Sequence, residues 1–126
     1  MGTVSFEGLV IFCADVEKSA AFYEGLLGLR RQSSDGDITL ALPTKGNPEG
    51  AWLLLHKRHE GIDVTPHELG TFTVDDVDGL VERLRADGHR ITSEPTDQPW
   101  GVREANVADP DGYTLTLSQP LPTASS

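Results

Sequence analysis

The chain is poor in cysteine, in positive charge, in aromatic residues and in long apolar runs. Cys13 is its one cysteine, so no internal disulfide can form, and a reducing compartment fits. Ten Lys and Arg face twenty Asp and Glu, a net charge of −10. Phosphate backbones are repelled by such a surface, so nucleic acid is not an expected partner. A cationic small molecule would be attracted instead, although net negative charge also serves plain solubility. No apolar run is long enough to span a bilayer. The N-terminus lacks the basic-then-apolar pattern of a secretory leader. These absences lead to the expectation of a cytoplasmic protein without membrane contact. Aromatic residues make up 6%, so each one that falls on a loop or an open strand face is informative.

What is present is a repetition. Gly8–Cys13 reads as a strand, Ala14-Asp15-Val16 as a junction, and residues 16–27 as an amphipathic helix closed by Gly28. Leu69–Val74, then Asp75-Asp76-Val77, then a helix closed by Gly88, repeat the plan half a chain later. Asp15 and Asp76 are suitable N-caps. Val16, Ala20, Tyr23 and Leu27 recur at helical spacing, as do Val77, Leu80, Val81 and Leu84. Further strands are expected at 29–32, 38–42 and 51–56, and at 90–94, 102–107 and 113–118. Breaker-rich loops are expected at 43–50 and 95–101, and a frayed tail from Pro120 to Ser126. The fold class is α+β: two tandem βαβββ modules, about 5–57 and 68–119, in one domain of residues 1–126. They form a curved mixed sheet with helices outside and a concave ligand cleft. Each half alone is too small to bury its sheet well. A homodimer is therefore expected, with modules of different chains completing each cleft.

Strand alternation assigns side chains to faces. Leu9, Ile11 and Cys13 face the first helix, which leaves Gly8, Val10 and Phe12 for the cleft. Phe72 and Val74 lie under the second helix, with Leu69, Thr71 and Thr73 in the cleft. Leu115 and Leu117 pack inward, and Thr114, Thr116 and Ser118 face the cleft. A slip of one residue would exchange every assignment.

The segments Ala14–Tyr23 with Leu26–Leu29, Val74–Asp78, Pro99–Glu104 and Asp109-Pro110-Asp111-Gly112 together resemble the vicinal oxygen chelate superfamily. That family includes glyoxalase I, extradiol dioxygenases, and fosfomycin- and bleomycin-resistance proteins. The resemblance covers nearly the whole chain and implies the fold more than the chemistry. It also implies four metal-ligand positions, which fall here on Gly8, Leu53, Leu69 and Thr116. Gly and Leu have no donor atom and Thr is a poor ligand. No metal and no cofactor is therefore expected, and the non-enzymatic, antibiotic-sequestering branch is favoured. The alternative is a metal-dependent lyase, isomerase, dioxygenase or thiol transferase with an unusual ligand set. A register slip that brings in Glu68, or the His56 and His59 region, would supply it.

The expected ligand is a small aromatic or amphipathic molecule, such as an antibiotic. Phe12 and Trp100 would stack on it. Thr71, Thr73, Glu104, Asn106 and Thr116 would orient it. Trp52 is read as core, and Cys13 as a buried, inert thiol. Asp109-Pro110-Asp111-Gly112 has the residues a turn needs. Arg103-Glu104 reads as a surface ion pair, His56 and His59 as pointing apart, and His89 as solvated.

Overall fold

In a computed structural model, residues 2–61 and 63–122 are described. The tail expected to fray lies outside them from residue 123 onward. The chain divides into two compact units, residues 1–64 and 65–126. Among the described residues, no helix is long and apolar enough to cross a membrane.

The first unit holds β1 (Gly8–Cys13), α1 (Val16–Ala20) running into a π-helical turn (Ala21–Leu26), β2 (Arg31–Asp35), β3 (Asp37–Thr44) and β4 (Asn47–Lys57). The second holds β5 (Glu68–Thr73), α2 (Val77–Ala86), β6 (Ile91–Asp97), β7 (Val102–Ala108) and β8 (Thr114–Pro120). Each unit builds a four-stranded mixed sheet, ordered β1-β4-β3-β2 and β5-β8-β7-β6. The outer pairs β1·β4 and β5·β8 are parallel and the others antiparallel. The βαβββ repeat is thus present twice.

Both helices start where the sequence places them. Asp15 accepts from the backbone N–H groups of Glu17 and Lys18 at 3.1 and 3.2 Å, and Asp76 accepts from that of Gly79 at 3.0 Å. Each bond satisfies a donor that the first turn leaves unpaired. α2 buries Val77, Leu80, Val81 and Leu84 against its sheet. The first helix departs from regular spacing. Its last six residues widen into a π-turn, which brings the consecutive Phe22 and Tyr23 inward together, both fully buried and edge-to-face at 4.9 Å.

The strands outrun their expected ends. The loops expected at 43–50 and 95–101 shrink to short turns, because β4 begins at Asn47 and β6 runs to Asp97. Pro43 and Pro95 do not stop the strands. Both lie where the pairing register shifts, and Pro95 is also on an edge strand, the places a sheet tolerates a missing N–H. The Asp-Pro-Asp-Gly segment is a turn as expected. The buried Asp109 carboxylate accepts from the N–H groups of Asp111 and Tyr113 at 2.9 and 3.0 Å.

Candidate functional site

Each sheet has one face under its helix and one face free of it. On the first sheet, Ile11, Cys13, Leu53 and Leu55 are buried on the helix side. The helix-free face carries the cross-strand pairs Gly8 and Trp52, Val10 and Leu54, and Phe12 and His56. Phe12 therefore stands on the face that alternation assigns to it. Two expectations are corrected here. Trp52, read as core, lies half-buried on the helix-free face. Leu53, read as a metal-ligand position, is core at 1% exposure. The parallel register makes Leu54, not Leu53, the partner of the open strand positions.

Gly8 shows why the first ligand position is empty of side chain. A Cβ there would collide with the Trp52 indole and its carbonyl oxygen. The indole occupies the space that a ligating side chain would need.

At the end of the same face, the His56 Nδ1 lies 2.5 Å from Asp37 Oδ2. The Lys57 N–H donates to the other Asp37 oxygen at 3.0 Å. That backbone donor first, and His56 second, hold the Asp37 carboxyl below its usual range. The Phe12 ring sits 5.3 Å from the His56 ring. His59 does not point away as expected. Its ring is edge-on to His56 at 6.2 Å, because β4 ends at Lys57 and the chain turns there.

On the second sheet, alternation succeeds throughout β7 and β8. Leu115 and Leu117 are fully buried on the helix side. The other face carries two adjacent rows across β5, β8 and β7. One is Thr71, Thr116 and Asn106, and the next is Thr73, Ser118 and Glu104. All five polar residues expected to orient a ligand thus share one face. The exception to simple alternation is at the start of β5. The register shifts between Glu68 and Gly70, leaving Leu69 as the extra residue of a bulge. Gly70 adopts φ 137, a backbone conformation that costs a side-chain-bearing residue far more than glycine. The bulge sets Glu68 opposite Thr114, and its carboxylate accepts from the hydroxyls of Thr114 and Thr116 at 2.8 Å each. Asn106 Nδ2 donates to the Thr116 hydroxyl oxygen at 2.8 Å. The slip that sequence alone leaves open therefore occurs, and it brings in Glu68.

Trp100 stands in the turn between β6 and β7 at 66% exposure. Arg103 does not pair with Glu104. It reaches across to Asp78 on α2 and to Asp97, each at 3.0 Å, and the guanidinium lowers the Asp78 carboxyl's pKa. Alternation explains this, since consecutive strand residues point to opposite faces. His89 is not solvated. Its side chain is 14% exposed and 3.2 Å from Asp87.

The metal positions implied by the resemblance have poor surroundings for an ion. Gly8 is covered by Trp52, Leu53 is buried core without a donor, Leu69 has no donor either, and the Thr116 hydroxyl is engaged by Glu68 and Asn106. Among the described residues, no three His, Cys, Asp or Glu side chains gather where an ion could sit. This donor set does not fit a divalent metal.

The profile of the Glyoxalase/Bleomycin resistance protein/Dioxygenase superfamily matches residues 5–117. The chain belongs to that superfamily. The lactoylglutathione lyase of Arabidopsis thaliana is 40% identical over 67 residues, which is 48% of this chain and 24% of that enzyme. Other curated relatives are likewise matched over 39–44% of their length, so the chain spans less than half of the relatives it matches. Among solved structures, TnmS3, an antibiotic binding protein from a Streptomyces species, superposes with a TM-score of 0.73. It is 24% identical, with 95% of this chain and 98% of that one covered. TioX from a Micromonospora species gives a TM-score of 0.68 at 22% identity, covering 94% and 100%. At these identities the likeness establishes the glyoxalase fold alone.

Proposed function

We propose that this member of the superfamily is a non-enzymatic small-molecule binding protein that sequesters an antibiotic or another toxic aromatic or amphipathic compound. One observation carries the reading. The positions that would hold a metal have no donor free to bind one, while the same sheets keep Phe12, Trp52, Thr71, Thr73, Glu104, Asn106 and Thr116 on helix-free faces. Apolar and aromatic groups with a few polar anchors are what ligand sites are made of. TnmS3, an antibiotic binding protein on this fold, supports the class. The protein acts in the cytoplasm, where a sequestering protein meets an intracellular toxin.

A thermal-shift screen against a broad antibiotic panel, bleomycin-type compounds included, tests the reading through linkage. A stabilising ligand is expected. Trp100→Ala should weaken its binding by about 2 kcal/mol, the scale of an aromatic hot spot, and quenching of indole fluorescence should fall. Trp52 also lies on a helix-free face, so Trp52→Phe removes a second share of the quenching. If no compound shifts the melting point, sequestration loses its support.

The working form is a homodimer. Units of this size bury too little of their surface to stand well alone, and Val10 and Phe6 stay 45% and 62% exposed. Sedimentation at micromolar concentration should give twice 13.6 kDa; a monomer that still binds ligand would remove the dimer from the proposal.

A second reading, a metal-dependent lyase, isomerase, dioxygenase or thiol transferase, draws on the stretch shared with lactoylglutathione lyase and on Glu68 beside Thr116. Elemental analysis of untagged protein separates the two. Near-stoichiometric metal, whose removal by chelator abolishes an activity, would replace the first reading with the second.

A further inference from the structure

We infer that His56, on the helix-free face of the first sheet, is a proton-accepting anchor that Asp37 orients to take an acidic ring hydroxyl of the ligand, a phenol or an enol. The inference rests on the ligand-binding reading above and names the chemical class of the ligand.

The strand register assembles the anchor. Phe12 pairs with His56 across β1 and β4. Ile38 pairs with Leu55 across β3 and β4, which sets Asp37 beside His56. Asp35, on the edge strand β2, continues the row. About 7 Å along the strands lies the row of Val10, Leu54 and Thr39, and beyond it that of Gly8, Trp52 and Ala41. Val10 is 45% exposed, and Trp52 and Leu54 are half-buried. Apart from the Thr39 hydroxyl, the side chains of these two rows are apolar. The face is thus apolar and aromatic over most of its length and polar at one end, which is the make-up of a ligand site.

The protons of that polar end are determined. The Lys57 N–H first, and His56 second, hold the Asp37 carboxyl below its usual range, so it carries no proton. The hydrogen between Asp37 and His56 Nδ1, 2.5 Å apart, must therefore belong to Nδ1. A neutral imidazole has one N–H, so Nε2 is left with its lone pair. Among the described residues Nε2 has no hydrogen-bond partner, and no partnerless side-chain polar atom is buried, so Nε2 is open to a ligand. The carboxylate is fixed from outside the pair by the Lys57 backbone N–H at 3.0 Å. The Phe12 ring, 5.3 Å away, flanks the imidazole. His59 flanks it edge-on at 6.2 Å, with its own Nδ1 3.1 Å from the Glu60 carbonyl oxygen.

A lone pair backed by a carboxylate is a base. It accepts a hydrogen bond from a ring hydroxyl. With a more acidic hydroxyl the O–H bond breaks, the Nε2–H bond forms, and the ligand oxyanion stays paired with the imidazolium that Asp37 stabilises. Either way, one proton lies between Nε2 and the ligand oxygen. A ring ether in the same place would face the lone pair with lone pairs.

The test compares 2-naphthol with 2-methoxynaphthalene by calorimetric titration at neutral pH. The naphthol should bind at least about fivefold more tightly, the scale of one hydrogen bond. His56→Phe should erase that preference and leave binding of the ether within about twofold. In Asp37→Asn the Lys57 N–H retains the amide oxygen, so the amide NH2 faces Nδ1 and the imidazole proton moves to Nε2. The preference should vanish there too, and nitrogen NMR should show the His56 tautomer exchanged, a change that a merely structural ion pair would not predict for the ligand. Asp87→Asn, beside His89, removes the same charge next to another histidine and should preserve the preference. In the unaltered protein the His56 Nε2 resonance should move with the naphthol and not with the ether, a readout that holds even if a variant folds poorly. Equal binding of the two probes, a preference that survives His56→Phe, or an unchanged tautomer in Asp37→Asn overturns the anchor and leaves the sequestration reading standing. If neither probe nor any antibiotic in the panel binds, both fall together.

Discussion

Leu53→Glu is expected to abolish folding, and Leu54→Glu to leave the protein folded. The two positions are neighbours on β4, yet they point to opposite faces. Leu53 is 1% exposed under the first helix, among Ile11, Leu40 and Leu55. A carboxylate there has no cationic partner and would cost at least about 4 kcal/mol, a large part of a domain's whole stability. Leu54 is half-buried on the helix-free face beside Val10. Its replacement should cost about 1 kcal/mol or less. Urea titrations followed by circular dichroism measure both. A stable Leu53→Glu paired with an unfolded Leu54→Glu would mean that the register of the first sheet is slipped by one.

Gly8→His should destabilise the protein by about 3 kcal/mol and fail to create a metal site. The substitution places a good ligand at the first position implied by the family resemblance. The Trp52 indole and carbonyl already occupy the space of its Cβ. The strand would have to separate from β4, where Gly8 pairs with Trp52, or the indole would have to leave. Denaturation with and without added nickel reads the outcome. Native-like stability together with a nickel-dependent rise in melting temperature would show that Trp52 yields easily.

Both substitutions sit at the boundary of what strand alternation can tell. Alternation places Phe12, Thr71, Thr73, Glu104, Asn106 and Thr116 on the helix-free faces without any tertiary information. It works because the side-chain period of a strand is two and the helix side must be apolar. It fails by one residue on β4, where Trp52, Leu53, Leu54 and Leu55 are all apolar. With no polar residue to break the run, the pattern does not say which half faces the helix. His56 was the available signal. A polar residue two positions beyond Leu54 shares its face, and that face is the helix-free one.

Glu68 is legible in the sequence only as the product of a register slip, and whether the slip occurs is not. Its position depends on a bulge at Leu69 and Gly70, and a glycine in a strand signals a bulge without saying which neighbour it re-aims. The hydrogen-bond arrangement of Glu68, Thr114, Thr116 and Asn106 joins residues up to 48 positions apart, so local pattern has no access to it. The His56 and Asp37 pair likewise needs the β3·β4 register before it can be seen.

The sequence by itself determined the two βαβββ modules, their N-caps, the helix faces of α2, the turn at Asp109–Gly112 and the superfamily. Local periodicity and capping chemistry are enough for these, because each depends on residues within a few positions of one another. Only the tertiary structure decided that Trp52 covers Gly8, that Leu53 is core, that Arg103 serves Asp78, and that Glu68 gathers the hydroxyls of Thr114 and Thr116. Those outcomes depend on which strand lies beside which and in what register, and registers are set by the packing of the whole sheet.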